Sequence, residues 1–189
     1  LIATDIPVLP AATTWEDVLG QLDALLTNEH SYRYLCIDTL GGLERLCHEF
    51  VCQRDFKGDW GEKGFTSYAK GYEVALPEWR MMLNRLDRLR TDKGMGIVAL
   101  AHSLVRPYKN PEGEDFDRFI ADLHHKTWAV THKWADLILF ANYYVEIDKG
   151  RSGRERAKGK GGQQRFLNTE HHAAYDAKNR HGLPLEISM

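Results

Sequence analysis

Apolar residues recur at two different periods along the chain, and the alternation between them predicts the order of elements. Trp15, Val18, Leu19, Leu22, Leu25 and Leu26 fall at helical spacing and predict an amphipathic helix ending near Asn28. Thr13 and Glu16, a hydroxyl followed three residues later by a carboxylate, read as its capping box. Residues 34–37 are a short continuous apolar run closed by Asp38, the pattern of a buried strand. Leu43, Leu46, Phe50 and Val51 mark a second helix, and a glycine- and aromatic-rich loop follows over about 54–68. Leu76, Trp79, Met82, Leu83, Leu86 and Leu89 mark a third, where Pro77 implies a kink or a late start. Residues 96–101 read as a second buried strand that ends in His102 and Ser103. Pro107, Pro111 and Gly113 predict a long loop over 104–126, then a helix through Trp128 and Trp134. A third strand is predicted over 136–147, and β-structure over 165–169, 174–177 and 185–187. Helices alternating with continuous apolar strands predict an α/β fold, a mostly parallel sheet covered on both faces and extended by C-terminal hairpin strands.

Composition narrows the class. The 189 residues, 43% apolar and 28% charged, suit one domain with a real core and exclude a disordered or fibrous chain. No apolar run approaches the roughly 18 residues of a membrane span, so no membrane partner is expected. Cys36, Cys47 and Cys52 make neither an even disulfide framework nor a CxxC pair, which predicts a reducing compartment and argues against zinc. Leu1 stands where an initiator Met is usual and no leader pattern follows, so no signal peptide and further chain upstream are expected.

The formal charge of -2 conceals an asymmetry. Lys149, Arg151, Arg154, Arg156, Lys158, Lys160 and Arg165 face a single Glu155, so residues 149–165 carry +6 and the rest, with 18 cations against 26 carboxylates, carries -8. Five glycines share that segment, which reads as a solvated loop or a contact for nucleic-acid phosphate. Phe56, Trp60, Phe65 and Tyr68 are candidates for base stacking or subunit packing.

In open α/β sheets, ligands bind at the carboxyl ends of strands, where Asp38 with Thr39 and His102 with Ser103 stand. An apolar run closed by Asp-Thr suits a Mg2+ site beside nucleotide phosphates, and equally a helix cap. Lys178 and Arg180 lie on one side of an extended strand before Gly182, placed to grip a phosphate or to be solvated at a hairpin tip. His124, His125 and His132 lack a recognised metal-ligand spacing and read as capping or surface residues, as do His171 and His172; Met81, Met82, Trp79, Trp128 and Trp134 read as core.

Taken in order, YLCIDTLGGLER (34–45), the stretch 70–103 ending in ALAHS, HKTW and HKWADLILF (125–128, 132–140) and RFLNTEHHAAYDAKNRHGLP (165–184) resemble the phage and prophage ATP-binding proteins with a RecA-like P-loop core. The resemblance runs from about Trp15 onward. It implies one RecA-like domain over 1–189, ATP and Mg2+ as cofactors, and a site in the bacterial host cytoplasm. Asp38 then matches the Walker B aspartate that positions Mg2+, with Thr39 beside it, and His102 matches a sensor of the γ-phosphate. Lys178 and Arg180 match a Lys-x-Arg finger acting on the neighbouring subunit's nucleotide, which implies a homo-oligomer. Segments 55–68 and 104–126 match the DNA-contacting loops, although the acidic residues of the second make 149–165 the better electrostatic candidate for single-stranded DNA. The chain departs from the family in lacking G-x-x-x-x-G-K-[ST], which implies truncation before the phosphate loop. The function expected is the ATPase core of a phage recombination or annealing protein. The alternatives are a non-hydrolysing DNA-binding or oligomerisation module, and a ring helicase or its loader.

Overall fold

The computed structural model describes residues 6–148 and 158–189. The chain divides into two compact units, one of Leu1–His102 with Asp122–Thr131, the other of Ser103–Ala121 with His132–Met189.

The first unit is mostly helical. Helix α1 (Trp15–Thr27) starts one residue later than the sequence pattern implies, because Thr14 is the N-cap and Asp17 completes the box. The Asp17 carboxylate accepts from the amides of Thr13 (2.9 Å) and Thr14 (3.0 Å), while its own amide donates to Thr14 Oγ1 (3.1 Å). Helix α2 spans Leu40–Phe56, α3 Lys70–Val74 and α4 Leu76–Lys93. Pro77 occupies the first turn of α4, where a missing amide is harmless, so the helix starts late and is not kinked there. The α1 and α4 stripes meet face to face: the Trp15 and Trp79 rings stack at 6.2 Å, and Met82, Leu86 and Leu89 are fully buried. Met81, read as core, is instead 43% exposed. Arg85 forks onto Asp23 at 2.8 and 3.1 Å on the same helix pair.

Strands β1 (Tyr34–Asp38) and β2 (Gly96–Leu100) pair in parallel, from Tyr34 opposite Gly96 to Asp38 opposite Leu100. Their burial differs from expectation. Alternate residues Tyr34, Cys36, Asp38, Val98 and Leu100 are exposed, so only one face of this pair is covered among the described residues.

Segment 57–69 is a pinned turn. Phe65 is fully buried between Phe56, Trp60, His48 and Tyr72. Gly71 makes room for it, since a Cβ there would lie 2.4 Å from the Phe65 ring. This placement removes Phe65 from the stacking candidates.

The second unit is built from antiparallel pairs. Strands β3 (Ser103–Tyr108) and β4 (Phe116–Ala121) form a hairpin where a long loop was expected. Helix α5 (His125–Trp134) crosses the boundary between the units. The expected third strand is split into β5 (Leu137–Ile138) and β6 (Phe140–Asp148). β5 pairs with β8 (Lys178–Asn179), while β6, β7 (Lys158–Asn168) and β9 (Glu186–Ser188) form a three-stranded sheet. Residues 174–177 hold no strand: His172 and Tyr175 close a short bridge, and Tyr175 stacks on Phe140 at 4.7 Å. The fold is thus mixed α/β, but among the described residues parallel pairing between strands is confined to β1 and β2. No described helix is long and apolar enough to cross a membrane.

Candidate functional site

The parallel register brings two polar strand ends together. Asp38 closes β1 opposite Leu100, and His102 stands two residues further along the neighbouring strand. Both are exposed. Thr39 is the N-cap of α2 in extended conformation, yet its side chain makes no capping bond, and the peptide joining it to Asp38 is cis. The first turn of α2 contains no acidic residue, so its positive end and free amides face the region where Asp38 stands. Asp122 lies alongside: its amide donates to the His102 carbonyl at 2.8 Å, and its own carbonyl lies 3.5 Å from where a Gly41 Cβ would be.

A buried polar cluster braces this end of α2, and of its members the sequence pattern marked His124 alone, as a capping or surface residue. The Glu44 carboxylate accepts the His124 amide at 3.0 Å on both oxygens and also bonds Thr127. Burial raises its pKa despite those bonds. The His124 ring lies flat on Tyr72 at 3.9 Å, and His48 meets Tyr72 and Phe65 edge-on or tilted at 5.2 and 5.5 Å. Burial, then the neighbouring His124, pushes His48 down to about 4, so it is neutral at neutral pH. His124 thus caps α5, its Nδ1 accepting the Lys126 amide at 3.4 Å. Only the run of a histidine before an apolar-periodic helix was available as a signal for this role.

Among the described residues no three His, Cys, Asp or Glu side chains gather into a metal-holding group. A Mg2+ at Asp38 fits this chemistry only in the form that keeps several waters and takes phosphate oxygens, which needs one carboxylate from the protein.

Lys178 and Arg180 belong to the second unit and are both engaged at the carboxyl end of α5. Lys178 Nζ donates to the carbonyls of Ala135 (2.6 Å), His132 (2.7 Å) and Lys133 (3.3 Å), which saturates its three donors. Burial, then Arg180, lowers its pKa. Arg180 is exposed, with Nη1 on Asp136 (3.0 Å) and Nη2 on the Lys133 carbonyl (3.3 Å). Asn179 between them holds the turn, its Oδ1 accepting the amides of His181 and Leu183 at 3.1 Å.

Lys149, Arg151, Arg154 and Arg156 lie outside the described residues. The expected loop over 149–165 is strand from Lys158 onward, where β7 begins. In the β6–β7 register Lys158 stands opposite Asp148 and Lys160 opposite Glu146. Of the other stacking candidates, Trp60 is 44% exposed and Tyr68 fully exposed at φ 46°.

Comparison with known proteins gives one family. The model of a family described as an AAA domain matches residues 2–181. No curated protein and no solved structure matches.

Proposed function

The chain belongs to the AAA domain family, whose members bind and hydrolyse nucleotides on a P-loop core, and on that premise we propose that it is the ATP-binding and ATP-hydrolysing core of a phage DNA recombination or annealing protein. The observation that carries the reading is the in-register parallel pair β1–β2, which ends with Asp38 opposite Leu100 and leads two residues on to His102. This is where a RecA-like core works on nucleotide.

In this reading Asp38 would hold Mg2+, with Thr39 beside it, and the ion when bound neutralises phosphate charge. His102 registers the γ-phosphate, and its carbonyl, held by the Asp122 amide, ties that signal to the β3–β4 hairpin that starts at Ser103. Arg180, exposed and bonded to Asp136, exchanges that carboxylate for the phosphate of a neighbouring subunit's nucleotide. Lys178 holds the end of α5 and so positions Arg180. The active unit is a homo-oligomer in the host cytoplasm that acts on single-stranded DNA, with the basic run 149–156 and Arg165 supplying phosphate contacts. The 189 residues contain no G-x-x-x-x-G-K-[ST] stretch.

ATP hydrolysis by the intact protein tests this. Asp38→Asn is expected to lower the rate by about 100-fold or more, and Arg180→Ala to lower it in a way that mixing with Asp38→Asn subunits partly restores. Unchanged hydrolysis in Asp38→Asn refutes the site. The saturation of Lys178 by helix carbonyls favours one alternative, a non-hydrolysing oligomerisation or DNA-binding scaffold. That alternative predicts no nucleotide turnover by the unaltered protein, and assembly or DNA binding that Asp38→Asn leaves unchanged.

A further inference from the structure

We propose that Tyr143 and Tyr144, adjacent on the β6–β7 ribbon, each offer a ring on which a base of single-stranded nucleic acid stacks. Successive residues of a strand point to opposite faces, yet Tyr143 is 53% and Tyr144 54% exposed, and Val145 is 46% exposed. Among the described residues, both faces of the ribbon are about half open at this level.

The opposite strand is bulged beside them. Tyr143 stands opposite Arg165 and Val145 opposite Gly161, so the register slips and Tyr144 faces residues 162–164. Gly161 (φ +113°) and Gly162 (φ +98°) carry this bulge. A Cβ on Gly161 would lie 2.6 Å from the Tyr144 carbonyl oxygen, and one on Gly162 would touch the Tyr143 ring at 3.5 Å. Glycine at 161 lets the two backbones close up beside Tyr144, and glycine at 162 keeps a side chain off the Tyr143 ring from that position.

Charge selects the occupant. The connection between the two strands contains Lys149, Arg151, Arg154 and Arg156 against Glu155, and Arg165 is exposed across from Tyr143. A second copy of the chain would bring the same +6 segment against itself, whereas a polyanion with flat apolar bases satisfies both features. The proposal rests on the DNA partner of the reading above and not on its nucleotide chemistry.

Fluorescence anisotropy with a labelled oligothymidylate of about 20 nucleotides, without ATP, measures binding by the intact protein over a salt series. Tyr143→Ala with Tyr144→Ala is expected to weaken binding by about 10-fold or more at unchanged salt slope, and Tyr143→Phe with Tyr144→Phe to keep it within about 2-fold. Arg151→Gln, Arg154→Gln and Arg156→Gln together should flatten the slope instead. Photocrosslinking of the unaltered protein to iodouridine-bearing strands is expected at these tyrosines, which needs no variant to fold. Equal affinity in the alanine pair, or crosslinks only elsewhere, overturns the tyrosine assignment and leaves the DNA partner standing. Wild-type protein that does not bind at low salt overturns both. Alanine variants that lose oligomer mass in light scattering, with DNA affinity kept, assign the surface to a second copy.

Discussion

Mild acid is expected to weaken the first unit through His48. The imidazole is 9% exposed and lies among Phe65, Tyr72 and His124. Burial first, and His124 second, lowers its pKa from 6.5 to about 4. Between those values the unfolded chain binds a proton that the folded chain refuses, so stability rises with pH across the window and is fully present above pH 6.5. The complete shift corresponds to about 3 kcal/mol, of which about 1.3 kcal/mol is lost between pH 7.5 and 5.5. Glu44 acts in the opposite sense, because its raised pKa lets the folded state take up a proton earlier than the unfolded chain on acidification. His132, also lowered by burial, acts in the same sense as His48. Comparison with His48→Phe, which retains a ring against Phe65 and Tyr72, subtracts both. Urea unfolding followed by tryptophan fluorescence at pH 7.5 and 5.5 should show the wild type losing about 1.3 kcal/mol more than the variant. Equal losses in the two proteins would refute the assignment.

Two further outcomes follow from buried contacts. Thr131→Val removes the acceptor of the Trp79 indole N–H, bonded at 2.9 Å in the interior, and should destabilise by about 1–3 kcal/mol in the same unfolding assay while leaving the α1–α4 stack in place. Lys178→Met strips three carbonyls at the end of α5 of their donor and should cost about 1–3 kcal/mol, whereas Arg180→Ala, breaking an exposed pair with Asp136, should cost under about 1 kcal/mol. Reversed magnitudes would make Arg180 the structural residue and Lys178 the free one.

Helices α1 and α4 were legible because their stripes meet each other, and periodicity registers a face that is buried by a regular neighbour. The β3–β4 hairpin was not. Its inward residue on β4 is Arg118, buried and neutralised by Asp176, with His171 (3.2 Å) and the Tyr175 carbonyl (3.1 Å) also on its guanidinium, while Phe119 points out. A strand that buries a cation and exposes an aromatic inverts the pattern by which strands are recognised, and the partners that make this tolerable lie more than fifty positions away. The same holds at the site. Asp38 and His102 could be found because each ends an apolar run. The Glu44 to His124 brace joins residues 80 positions apart, and although His124 could be read as a helix cap, nothing local pairs it with Glu44. Burial of β1 and β2 on both faces was expected from their continuous apolar composition, yet Tyr34 and Cys36 are exposed. Composition shows what a strand tolerates, and its neighbours decide what covers it.

The bond from the Asp122 amide to the His102 carbonyl also bears on tolerance to insertion. The chain leaves the first unit after His102 and rejoins it at Asp122, so everything between is an excursion whose two ends are stitched at one point. Lengthening such an excursion is thermodynamically mild, about 0.6 kcal/mol for each doubling. Added length at the turn between Tyr108 and Phe116 should therefore leave Asp38 and the helices behind it undisturbed, while Arg118 on β4 stays tied to Asp176.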